Sequence, residues 1–390
     1  MFYRLPPAGE PVIIPGGRAV SPVSGELFAP YAVHFYGSAT SALAASLVAA
    51  IARVRVPSPE VLLPAYGCPA LVSAALFAGA RPRLIDLEPD RPWMDLDRLR
   101  AALGPDTVAV VGVDLFGIPE RYSKIRQAIA GTGVVLIQDS AQALPPPADE
   151  RWLGDYVVLS FGRGKPVSLL HGGAVLVQEE KLTHALPLPP PQETSGPVRS
   201  RLALHAVLYN LLSSAWLYWL PAGLPFLGLG ETRYRPLTSI EAADPLLREW
   251  LPINIHAYWR RSDERQRAIY GMLADSADDR IVDLPKACVG GAPAFRLVRY
   301  PILVNDPDVR QRLFHCFGHL GLGASAMYPS ALPGVRGLER YFGDVSCPQA
   351  DSFARRIVTL PVHSRVRRRD LQRMRGCLAQ ARKDRSVADH

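Results

Sequence analysis

Cysteine is scarce and unpatterned in this chain. Five occur in 390 residues (Cys68, Cys288, Cys316, Cys347 and Cys377), an odd number with no Cys-x-x-Cys among them. That argues against a disulfide framework and implies reduced thiols in a cytoplasmic protein. The N-terminal stretch MFYRLPPAGEPVIIPGG lacks the continuous apolar core of a signal peptide. No internal repeat is visible. His315 and His319 stand i,i+4, but no Glu lies between them in the zincin pattern, so no metal site is expected. The net charge is +8, much of it in arginines such as those of VRRRDLQRMRG. No nucleic-acid motif accompanies them, and a solvated basic helix face is the plainer reading. Anionic substrates or an anionic membrane surface stay compatible with the charge.

A hydrophobic content of 48% and a charged content of 21% describe a globular chain with ample core material, and its length suggests two domains. We expect an N-terminal arm over 1–30, a large domain over 31–250 and a small domain over 251–390. An atypical apolar insertion falls within the large domain at about 182–230. There, LPLPPPQETSGP is a Pro-rich loop, and Leu202 to Leu220 is nearly long enough to cross a bilayer. His205, Asn210, Ser213 and Ser214 interrupt this run, and Pro221 and Pro225 break it. A helix packed on the protein or at a dimer interface is expected first. A helix touching a membrane surface comes second, and a true span is disfavoured.

What is present centres on Val134 to Val177. A buried strand ends in Asp139, and Gln142 follows three residues later. A second strand from Tyr156 ends in Ser160, and Lys165 follows five later. His171 and a Gly-Gly pair then open another apolar run. Strands alternate with helices over Val61 to Val177, which argues for a largely parallel sheet covered on both faces. In such sheets ligands bind outside the strand ends. A carboxylate, a hydroxyl and one lysine emerging there suit pyridoxal phosphate (PLP). PLP needs a lysine to hold its aldehyde as an imine, a carboxylate to keep its ring nitrogen protonated, and donors for its phosphate. Further upstream, Ser38 and Thr40 precede an Ala/Leu-rich run as an N-cap would, and a helix N-terminus favours a phosphate. Taken alone, that pattern is equally a well-capped helix.

The segments DSAQA, LSFGRGK and HGGAVLV resemble the DegT/StrS sugar aminotransferases, which are PLP enzymes of fold type I. The pieces V-x-x-P, AGARP and D-x-x-P-D resemble the family too, and the likeness runs from about Gly37 to Arg375. It implies a large domain with a mostly parallel seven-stranded sheet and a smaller C-terminal α/β domain. It implies that Lys165 and Asp139 are catalytic, and that Ser38, Ala39, Thr40, Ser41 and Ser160 hold the phosphate. Gln142 would face the phenolate side of the ring or the lysine. The family places an aromatic on the ring face from the loop after Pro64. Here Cys68 occupies that position and Tyr66 lies two residues earlier, so either could cover the ring. In RYRPLTSIEAA, Arg233 stands where the family has an Asn that reaches the partner subunit's PLP phosphate, implying a homodimer. His171 and Tyr328 are candidate substrate contacts, and Met327 replaces a family His. Related sugar dehydratases carry a His in place of the lysine, so Lys165 argues against that branch. The implied activity transfers an amino group from L-glutamate to a nucleotide-linked keto sugar, with no nucleic-acid partner. The alternatives are a same-fold PLP enzyme acting on an amino acid or lipid-linked sugar, or a non-catalytic membrane-associated binding protein. In the C-terminal part we expect one long helix over NIHAYWRRSDERQRAIYGML and strands at FRLVRYPILV and GLGASAMYP.

Overall fold

The structure is a computed structural model. It describes residues 3–16, 26–145, 152–178, 180–183, 185–190, 196–224, 228, 230–275, 279–343 and 345–383. The first half of the chain runs β1 (Ala32–Tyr36), α1 (Ala39–Val54), β2 (Glu60–Pro64), α2 (Ala70–Phe77), β3 (Arg81–Ile85), α3 (Leu96–Ala102), β4 (Thr107–Val113), α4 (Tyr122–Ala128), β5 (Val135–Asp139), β6 (Tyr156–Ser160) and β7 (Gly173–Val177). There follow α5 (Glu180–Thr183), α6 (Gly196–Leu212), α7 (Trp219–Ala222), α8 (Pro245–Arg260), α9 (Glu264–Ala274), β8 (Ile281–Asp283), α10 (Leu284–Val289) and β9 (Arg299–Val304). The chain closes with α11 (Pro307–His319), α12 (Glu339–Phe342), α13 (Pro348–Arg356), β10 (Ile357–Pro361) and α14 (Arg368–Lys383).

The first seven strands form one sheet in the order β1-β7-β6-β5-β4-β2-β3. From β3 to β6 neighbours run parallel, while β7 is antiparallel to both β6 and β1. This is the mostly parallel seven-stranded sheet expected of the PLP fold type I architecture. β2, β4, β5, β6 and β7 are buried along their whole length. Helices cover both faces, so these strands read as unbroken apolar runs rather than alternating ones. α1 crosses one face; its Ala, Leu and Ser residues are small enough to lie flat, and nine of them are buried. On the other face, Leu62, Val110 and Leu136 meet α3 and α4, while Val157, Leu159 and Leu176 meet α6 and α8.

β8, β9 and β10 form a second, antiparallel sheet in the order β10-β9-β8. Its core is continuous with that of the α1 face. Two bonds from buried Asp86, just after β3, fix the join. The carboxylate accepts from Gln349 N (3.1 Å) and Ala350 N (2.8 Å), capping α13.

Four expectations need correction. The single helix after residue 250 is two, because Arg261 leaves the helical conformation between α8 and α9 and its guanidinium pairs with Glu10. GLGASAMYP makes only an isolated bridge, Ser325 to Thr359, since Gly321 and Gly323 take left-handed φ values of 65° and 70°. The apolar run from Leu202 is not one helix: α6 stops at Leu212 and α7 is a separate turn. Two cysteines are not free, because Cys316 of α11 and Cys377 of α14 form a disulfide with Cα atoms 5.8 Å apart. Residues 191–195 of the Pro-rich loop, and Pro225, lie outside the described residues.

Candidate active site

Strand register assembles the site. In β5 and β6, Asp139 pairs with Val158; Ser160, two residues on, pairs with Gly173 of β7, and Gly173 pairs with Tyr36 of β1. The end residues of four adjacent strands therefore sit in one row. α1 begins directly above them. A Cβ on Gly173 would lie 2.6 Å from the backbone N and Cα of Ala39, so only glycine lets the helix start this close to the sheet. Ser38 Oγ accepts from Ser41 N (3.0 Å) and caps the helix, leaving the earlier N–H groups without an intrahelical acceptor.

A cavity of about 340 Å3 opens at this row. Nine of the residues expected at the site line it: Ser38, Ala39, Thr40, Cys68, Asp139, Gln142, Ser160, Lys165 and His171. A larger groove of about 590 Å3 lies between α11 and α14, around His315 and His319, and contains none of them. Size is therefore a poor guide here, and the row of strand ends the better one.

Four expected residues lie elsewhere. Ser41 is fully buried and its hydroxyl meets Ser38 Oγ at 3.0 Å, so it braces the cap rather than facing the cavity. Tyr66 is 1% exposed. Its hydroxyl donates to Tyr328 O (2.9 Å), and its ring packs edge-on against Tyr328 and Phe353. It ties β2 to the second sheet, and Cys68 is the candidate from this loop that reaches the cavity. Tyr328 is buried in that same contact. Arg233 is exposed and pairs with Glu231.

Electrostatics give the cavity its chemistry. Burial raises the Asp139 carboxyl to about 6; the Ala141 N–H (2.9 Å) and the Lys165 ammonium pull it down, and Asp114 pushes it up. Lys165 is the cation that acts on this carboxylate, and burial outweighs it. Asp114 is itself held by Ser140 Oγ, Gln138 Nε2 (3.2 Å) and Glu120 N (3.1 Å). Gln142 accepts from Phe116 N through Oε1 (3.0 Å). Because that donor is a backbone N–H, the amide orientation is fixed and Nε2 remains a donor. Desolvation holds His171 below its usual range and Asp244, 4.0 Å away, pulls it back up, although the His171 side chain is 44% exposed. Asp244 escaped the sequence reading. Its signal was a Ser/Asp-type cap before Pro-Leu-Leu, and it accepts from Leu246 N (2.9 Å) at the start of α8.

This donor set fits pyridoxal phosphate. An amine (Lys165) and a buried carboxylate (Asp139) share the cavity with a helix N-terminus bearing Ser38 and Thr40.

Comparison with known proteins agrees. A UDP-N-acetyl-3-dehydro-α-D-glucosamine 3-aminotransferase of Acidithiobacillus ferrooxidans is 24% identical over 323 residues, 82% of this chain and 76% of that protein. A Streptococcus pneumoniae protein solved in its PLP form superposes with a TM-score of 0.69, at 18% identity over 97% of this chain and 98% of that one. Helicobacter pylori PseC, an aminotransferase of pseudoaminic acid biosynthesis, gives 0.68 at 15% identity over 96% and 98%. These two solved structures share the fold. Residues 28–188, which carry the entire seven-stranded sheet and every cavity residue named above, match the model of the DegT/DnrJ/EryC1/StrS aminotransferase family.

Proposed function

We propose that this protein transfers an amino group from L-glutamate to the ketone of a nucleotide-linked sugar. The observation that carries the reading is the convergence of Lys165, Asp139 and the α1 N-terminus on one cavity. The nucleotide-linked acceptor rests on the named substrate of the Acidithiobacillus relative.

When bound, PLP supplies an aldehyde that condenses with amines and a ring that accepts the electron pair left at carbon. The residues do the rest. Lys165 Nζ holds the aldehyde at rest. With PLP bound, Lys165 Nζ would move the proton at the donor's α-carbon, as base and then acid. Asp139 would keep the ring nitrogen protonated. Gln142 Nε2 donates towards the ring's phenolate side. Ser38, Thr40, Ser160 and the open N–H groups of α1 take the phosphate. Cys68 covers the ring where relatives use an aromatic. His171 faces the substrate as a neutral imidazole, able to donate and accept. Arg233 of a second subunit is a further phosphate ligand in a homodimer, since a guanidinium suits a phosphate at least as well as an amide does. Tyr328 shapes the sugar pocket only through its packing on Tyr66.

We place the boundary between the large and small domains after Arg260, because α8 passes residue 250 unbroken and its buried residues as far as Tyr258 pack on the large sheet. We also propose a cytoplasmic location.

The test is an absorbance spectrum of purified protein with PLP, before and after L-glutamate. A visible band that glutamate discharges supports the reading, and Lys165→Ala removes both the band and turnover. A Lys165→Ala protein that still turned over would refute it.

A further inference from the structure

α6 is apolar on two opposite sides. Its inner side is in use. Leu202 and Ala206 are buried, and Asn210 exchanges hydrogen bonds with the backbone of Val12 (2.8 and 2.7 Å) in the N-terminal arm. Its outer side presents Leu204, Val207, Leu208, Leu211 and Leu212, spaced i, i+3, i+4, i+7, i+8, and these are 38–57% exposed. Trp216 (51%) and Leu220 (41%) extend the same surface beyond the helix. Scattered exposed leucines need no account, but five large apolar side chains on one helix face, with two more exposed just beyond it, do.

The charge around this row identifies what covers it. No Asp or Glu occurs anywhere from residue 196 to residue 230. Arg201 is exposed on α6 itself. Arg365 donates to Ser213 Oγ (3.0 Å) at the helix end, and the Arg369 guanidinium sits 5.5 Å from the Trp216 ring centre while pairing with Asp370 (3.8 Å), which offsets part of its charge. Arg199 adds nothing, since Glu249 neutralises it. An apolar face edged by arginine and tryptophan suits the headgroup boundary of an anionic bilayer. A second copy of the chain suits it poorly. A two-fold interface would set like arginines against one another around the apolar row, with no carboxylate from 196–230 to receive them. No described helix is long and apolar enough to cross a membrane, so the contact lies in the plane of the surface.

We propose that the outer face of α6, with Trp216 and Leu220, docks peripherally on an anionic lipid surface. The proposal is independent of which substrate the enzyme aminates.

The experiment is co-sedimentation of the full-length, PLP-loaded protein with vesicles of phosphatidylglycerol and phosphatidylcholine, against vesicles of phosphatidylcholine alone. The wild type is expected to pellet with the anionic vesicles, less with the neutral ones, and less as salt rises. Leu208→Glu with Leu211→Glu is expected to lower partitioning at least about tenfold while leaving the PLP band unchanged. If that variant loses the band, Leu204→Ser with Leu211→Ser repeats the test with a milder change. Absence of wild-type binding to anionic vesicles overturns the proposal, and so does binding that the folded variants leave unchanged. A lipid-free shift of the variants to a smaller species in light scattering also overturns it, and assigns the face to a second copy.

Discussion

Asp139 carries a measurable cost in the cofactor-free protein. Its carboxyl is raised from 3.8 to about 6, chiefly by burial. Between those values the folded state binds more protons than the unfolded one, so stability falls as pH rises through this window. Above it the full difference, on the order of 3 kcal/mol, counts against folding until a protonated ring nitrogen arrives. Asp139→Asn is therefore expected to raise the Tm of the PLP-free protein at pH 8, with little change at pH 4. The same variant should lose PLP, read by the visible band on dialysis. An unchanged or lowered Tm at pH 8 would count against a buried, uncompensated charge. Cys68 offers a second residue-scale reading. Burial pushes the Cys288 and Cys347 thiols up to about 12, which keeps them protonated and slow to react. Cys68 lines the cavity. A thiol reagent is expected to label Cys68 first in the PLP-free protein, and bound PLP is expected to block it. Peptide mapping after brief alkylation checks both.

At the scale of elements, the decisive contact is between α1 and β7. A side chain on Gly173 would press into the backbone of Ala39, 2.6 Å away. Backbone cannot swing aside as a flexible side chain can, so the helix must move off the sheet. Overpacking of this kind costs roughly 1–3 kcal/mol, and displacement of the helix end proposed to take the phosphate adds to the loss. Gly173→Ala is expected to weaken PLP binding by about tenfold or more, with a smaller loss of Tm. Gly79→Ala is the contrasting control: it sits at φ 81° in open space, so it strains its own turn and should leave PLP affinity alone. Equal affinities for wild type and Gly173→Ala would show that α1 is free to shift.

At the scale of the whole molecule, two sheets are joined by polar links threaded through one core. Asp86 caps α13 from the end of β3, and Cys347, at the cap position itself, offers no side-chain bond. Asp86→Ala leaves two N–H groups at the join without their acceptor, a loss of roughly 1–3 kcal/mol. Urea unfolding should report this as a lower midpoint. If the midpoint stays but the slope falls, the two units come apart separately, and the link is what made them unfold together. Tyr66 belongs to this scale as well. Its ring joins the units through Tyr328 and Phe353.

The sequence by itself determined the sheet and most of the residues that line the candidate site. Continuous apolar runs can only be strands covered on both faces, and the residues that end them, Asp139 and Ser160, had to fall where ligands bind. Lys165, Gln142 and the Ser38 cap followed from short-range spacing that the fold preserves. What depended on contacts distant along the chain was decided only by tertiary structure. Tyr66 and Cys68 are two residues apart, yet burial against Phe353, nearly three hundred residues on, sends one to the join and leaves the other in the cavity. Ser41 was turned away by its bond to Ser38, and Asp244 was brought to His171 by the packing of α8. The break at Arg261 depends on Glu10, and the Cys316–Cys377 bond on α11 and α14 lying side by side. Periodicity records which face of an element is buried, but not which distant side chain will meet it there.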